Sequence, residues 1–209
     1  MPYPTISASY GFRPVNLLGG QVYSGSTREI PIQTAHGTSI FFGDVVLMSA
    51  NGCVNNATLT ATTVNVLGIF MGCSYLNSQS QRVYAQYFPA LTAGTPDSAS
   101  AILAYVVDDP DVVMKVAIQS ATDAAPSASQ ATRAVMVGGN ASIVYQTVKG
   151  SALSGNGTQG ALNSTATTAA LPLKVIDVVP DTATATGSFV EVLVAWNQGI
   201  HHYRAALAI

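Results

Sequence analysis

Charge is what this chain has least of. Its 209 residues include eight Lys and Arg and ten Asp and Glu, 9% of the total, and none falls between Asp44 and Arg82. About a quarter of the residues in an ordinary soluble domain are charged. Acid–base and nucleophilic catalysis draw on ionisable groups. A chain this poor in them is expected to work by shape and contact within a larger assembly, and not as an enzyme. The basic residues stand singly from Arg13 to Arg204 and the net charge is −2, so the clustered basic surface that nucleic acid requires is missing. No apolar run reaches the 18 or so residues of a membrane span. Met1-Pro2-Tyr3-Pro4 has neither the basic nor the apolar region of a secretory signal, which implies synthesis in a reducing cytoplasm. Two cysteines build no disulfide framework, and Cys53 and Cys73 are expected as buried free thiols.

Recognisable chemistry is equally sparse. The histidines are His36, His201 and His202, and no Gly-x-Ser-x-Gly elbow accompanies them. Adjacent His201 and His202 on a strand would point to opposite faces, against joint metal ligation. Asp108, Asp109 and Asp111 resemble the start of a calcium loop, but Val112-Val113-Met114 ends the alternating series of oxygen ligands. A tight turn is the expectation there. The two cysteines lack zinc spacing, and neither Gly19-Gly20 nor Gly138-Gly139 is a phosphate loop. Tyr84, Tyr87, Phe88 and Trp196 are read as core or subunit interface ahead of a sugar platform. The sequons at Asn56, Asn140, Asn156 and Asn163 matter only in a secreted chain. No catalytic, cofactor-binding or metal-binding residues are assigned, and no cofactor is expected.

What is present is β pattern. Short apolar runs are broken by Gly, Asn, Asp and Pro, without a sustained helical period. Residues 64–75 are too apolar on both faces for a solvent-facing strand and belong in the middle of a sheet, with Gly68 and Gly72 marking bends or close backbone approach. Ala50-Asn51-Gly52 predicts a hairpin turn. One short helical turn is expected within residues 133–144, near 139–142. Residues 1–20 read as an extended arm, because Pro2, Pro4 and Pro14 oppose regular structure. Its side chains Tyr3, Tyr10, Phe12, Arg13, Leu17 and Leu18 are too apolar for a free tail, which makes them candidate interface residues. Leu207 and Ile209 at the other end are candidates for a subunit seam. Residues 21–209 are expected to form a single β-rich domain, an antiparallel sandwich or barrel. The uncharged Gly/Ala/Ser/Thr stretch of 150–170 is expected as a long loop outside the core.

Several segments, in order along the chain, resemble the head decoration (cement) and related virion structural proteins of tailed bacteriophages. They are Tyr10–Gly20 (YGFRPVNLLGG), Gly43–Val46 (GDVV), Val66–Gly72 (VLGIFMG), Tyr105–Pro110 (YVVDDP), Gly138–Ala141 (GGNA) and Glu191–Tyr203. The resemblance implies an all-β protein on the outer surface of the capsid. There it would bind the major capsid protein and itself, as a homotrimer at local threefold positions, and stabilise the shell. The alternative from another class is a β-sandwich carbohydrate-binding, adhesin or neck component of the virion.

Overall fold

The computed structural model describes residues 8–33, 36–56, 66–90, 102–120, 133–144, 150–162, 164–182 and 189–197. The protein is all-β, built as two sheets, and each grows from one long strand. The first sheet centres on β5 (Val66–Leu76). One edge of β5 is lined by β7 (Leu103–Val107), and β2 (Arg28–Pro31) pairs beyond it. The other edge is shared by β3 (Val45–Met48) and β6 (Arg82–Ala85). A turn at Asn51-Gly52 joins β3 to β4 (Val54–Asn55), as its sequence predicts, with Ser49 N–H bonded to Cys53 O at 2.9 Å. A parallel bridge from Val54 to Ile32, just past β2, brings the outer strands together. The sheet therefore curls nearly into a barrel.

The second sheet centres on β8 (Val112–Gln119). β13 (Glu191–Trp196) lines one edge, followed by β12 (Leu173–Val178) and β9 (Asn140–Ala141). The other edge is shared by β1 (Arg13–Leu17) and by β11 (Gly160–Leu162), which runs parallel to β8 and carries β10 (Ile143–Val144). The turn at Asp108–Asp111 passes the chain from β7 of the first sheet to β8 of the second. Asp109 Oδ1 accepts the Asp111 N–H at 2.9 Å there, and Arg28 pairs with Asp108 at 2.9 Å.

Side-chain alternation divides β5 between two cores. Leu67, Phe70 and Cys73 point into the barrel with Ile30, Ile40, Val46, Val54, Phe88 and Val106. Val66 and Ile69 face the second sheet, where they meet Val112, Met114, Val116, Val192, Val194 and Trp196. This two-sided burial explains why 66–72 carries no polar face. Gly68 lies against the Val107 carbonyl so closely that a Cβ would overlap it, the close approach its position suggests.

Three expectations need correction. Residues 8–17 are not an arm reaching for another chain: Phe12 is fully buried in the core between the sheets, and β1 pairs antiparallel with β8. Pro14 is tolerated because the register shifts between Pro14 and Asn16, and such irregularities are where a strand accepts a missing donor. Residues 150–162 are not an excursion either. They contain β11, and Gly155, Gly157, Gln159, Gly160 and Ala161 are buried. Their small side chains serve close packing: a Cβ on Gly157 would run into the Asp44 carboxylate. The helical turn falls within the expected 133–144 segment but at its start, α1 (Arg133–Met136), and not near 139–142, where 140–141 and 143–144 are strands. Cys73 is a buried free thiol, whereas Cys53 is free but only half-buried, at the hairpin turn.

Because Phe12 fills space between the two sheets, Phe12→Ala is expected to destabilise the protein by about 3–5 kcal/mol, read as a lowered denaturation midpoint. Leu18→Ala, on the exposed turn beyond β1, is expected to change stability by about 0.5 kcal/mol or less.

Candidate functional site

Four charged residues, Arg13, Asp44, Lys115 and Glu191, converge where β1, the loop before β3, the 150–162 segment and the second sheet meet. Arg13 lies over the Phe42 ring with its guanidinium carbon 4.2 Å from the centroid, and 5.6 Å from that of Tyr10. Its Nη2 donates to Asn156 Oδ1 at 2.9 Å. Asp44 is fully buried, and its Oδ2 accepts the Phe41 N–H at 2.9 Å. Burial draws the Arg13 guanidinium below its ordinary pKa, while the charge of Asp44 acts in the opposite direction. On the other side of Tyr10, its hydroxyl donates to Glu191 Oε1, and Lys115 Nζ reaches the same oxygen at 3.0 Å. Gln159 Oε1 accepts the Val45 N–H at 2.8 Å and its backbone carbonyl accepts from Ser9 Oγ at 3.0 Å, so one residue ties the N-terminal segment to β3. Gln119 Nε2 donates to the Thr158 carbonyl at 2.8 Å.

These groups hold one another and are poorly placed for chemistry. Burial first, and then the hydrogen bond and charge of Glu191, push the Tyr10 phenol well above its ordinary pKa. It is a donor and not a base. Burial pushes the Cys73 thiol up to about 12, so it is no thiolate nucleophile at neutral pH. His36 is buried in contact with Asn56 Oδ1 at 2.9 Å, and Asn56 Nδ2 donates to Ser39 O at 3.0 Å. Burial also removes Asn56 and Asn140 as sequon acceptors. Among the described residues no group of three or more His, Cys, Asp or Glu converges as metal ligands.

The candidate interface residues therefore part company. Tyr10 and Arg13 bind within their own chain, Phe12 is core, and Leu17 packs half-buried against the same core. Leu18 is exposed. Tyr3, Leu207 and Ile209 lie outside the described residues, as do His201 and His202. The four aromatics are also dispersed. Phe88 and Trp196 are in different cores, Tyr87 stacks on Phe41 at 5.4 Å, and Tyr84 is 72% exposed. The sequence reading missed Val22, 79% exposed and bridged to Asn16, and Leu153, 99% exposed. The signal for Leu153 was a lone large apolar residue in a stretch of Gly, Ser and Ala. With Val15, Leu18, Tyr84 and Val135, these tips are the large apolar residues exposed on the described surface.

No protein-family model, curated protein or solved structure matches the chain.

The Tyr10 bond yields a pH prediction. A folded-state pKa raised above the unfolded value of about 10 means that the contribution is complete below pH ~10 and falls as pH rises beyond it. Tyr10→Phe is expected to lower stability by about 1–2 kcal/mol at neutral pH and to lessen the decline above pH 10. Denaturant titrations of both proteins from pH 7 to about 11 check this, and parallel declines would contradict it.

Proposed function

We propose that this protein is a structural component of a tailed-bacteriophage virion, a decoration protein that binds the outside of the head and stabilises the shell. The observation that carries the reading is the internal use of charge. Arg13, Asp44, Lys115 and Glu191 meet in the junction between the sheets, while Val22, Tyr84 and Leu153 stand exposed. A surface so arranged favours apolar and hydrogen-bonded contact with a large partner over electrostatic steering or catalysis. The resemblance of the Tyr10–Gly20, Val66–Gly72 and Glu191–Tyr203 segments to the decoration proteins points to the major capsid protein as that partner. A homotrimer at local threefold positions is the assembly the same resemblance implies. Such a protein stabilises the expanded shell by binding it in preference to the immature one, so its effect follows mass action.

Add-back to stripped heads tests the reading. Heads without the protein are expected to assemble but to lose DNA sooner on heating or osmotic shock, and added protein restores resistance. Attachment is expected to persist near 1 M salt, where charges are screened within about 3 Å. Stripped heads as robust as complete ones would remove the cement role.

A further inference from the structure

A cavity of about 300 Å³ opens beside β9 and β12, away from the polar junction, lined by Val135, Gly138, Asn140, Thr165, Thr167 and Lys174 among others. Its volume is at the lower end of the range for small-molecule sites, about 300–1,000 Å³. Two of its side chains are set opposite one another by the sheet: Asn140 and Lys174 are direct partners in the β9–β12 register, which puts them on one face within reach of a single small ligand.

Asn140 is 7% exposed. Its Nδ2 donates to the Thr168 carbonyl at 3.0 Å, which fixes the amide orientation, and its Oδ1 meets no donor among the described residues. A buried carbonyl without a donor costs about 1–3 kcal/mol. Its backbone is already engaged, through reciprocal bonds with Ala166 at 2.9 Å, so the side-chain oxygen is where capacity remains. Across from it Lys174, which is exposed, offers N–H donors and a positive charge. Thr165 Oγ1 donates to the Val135 carbonyl at 2.9 Å and retains acceptor capacity. Val135, half exposed, supplies an apolar lip.

These groups select by exclusion. A carboxylate or phosphate would suit Lys174 but would set an acceptor against the Asn140 carbonyl. A cation would suit the carbonyl and be repelled by Lys174. A neutral ligand with neighbouring hydroxyls satisfies both: one hydroxyl donates to Asn140 Oδ1 and the next oxygen accepts from Lys174 Nζ, with C–H groups of the ring against Val135. We propose that this cavity is a binding site for a sugar residue, presented as a neutral glycan. The site stands apart from the shell-stabilising role and does not depend on it.

Saturation-transfer difference NMR of the full chain with millimolar glucose, galactose, mannose and N-acetylglucosamine tests the site. At least one sugar is expected to receive transfer at ring protons. Asn140→Ala and Lys174→Met are each expected to raise the dissociation constant read from titration of that signal about tenfold, equivalent to about 1.4 kcal/mol. Lys174 is exposed, so Lys174→Met keeps the test decisive should Asn140→Ala fail to fold. The absence of transfer to every sugar, or transfer unchanged in Lys174→Met, would overturn the proposal and leave Asn140 Oδ1 to an ordered water. Attachment of Lys174→Met to stripped heads is expected to match the parent protein, so sugar binding and shell binding are read separately.

Discussion

A strand buried on both faces accepts neither a charge nor a slip in register, because either would place the wrong side chain in a core. β5 is such a strand. Phe70 and Leu67 fill the barrel, and Val66 and Ile69 meet the second sheet. β3 and β7 share the constraint, since Val45 and Val107 face one core while Val46 and Val106 face the other. The charge-free interval from Asp44 to Arg82 is the sequence counterpart of this shared wall.

The buried and half-buried charges Arg13, Asp44, Lys115 and Glu191 are gathered where the two sheets and two connecting segments meet. A buried carboxylate or guanidinium is tolerable only with partners, and here partners come from distant parts of the chain. Arg13 meets Asn156 and Phe42, Glu191 meets Tyr10 and Lys115, and Gln159 meets Val45 and Ser9. Removing one member leaves the others desolvated and underbonded, so the junction specifies how residues 8–17 and 150–162 lie against the sheets. The same arrangement leaves the described exterior with apolar tips at Val22, Tyr84 and Leu153, the feature on which the reading as a contact protein rests.

Much of the fold was legible in the sequence because its signals are local. The apolar run of β5, the Asn51-Gly52 turn and the aspartate turn before β8 each report on a few neighbouring residues. The errors came where tertiary contacts override local preference. Pro14 argued against a strand, yet it sits at a register shift on β1. The glycines of 150–162 read as flexibility, yet Gly157 is small because Asp44 needs the space. The polar junction was invisible for the same reason. Tyr10 and Glu191 are far apart in sequence, and no local pattern joins them. The pairing of Asn140 with Lys174 likewise depends on a strand register that the expected helical turn at 139–142 concealed.

Hydrogen exchange over residues 10–17 in the free, dilute protein tests the central claim most directly, because it separates a strand of the protein's own sheet from an arm that orders only on a partner. Protection of the β1 amides comparable to those of β8, already present before any head or second copy is added, is the result this structure predicts. Rapid exchange in the free protein, with protection gained only on binding to heads, would contradict it.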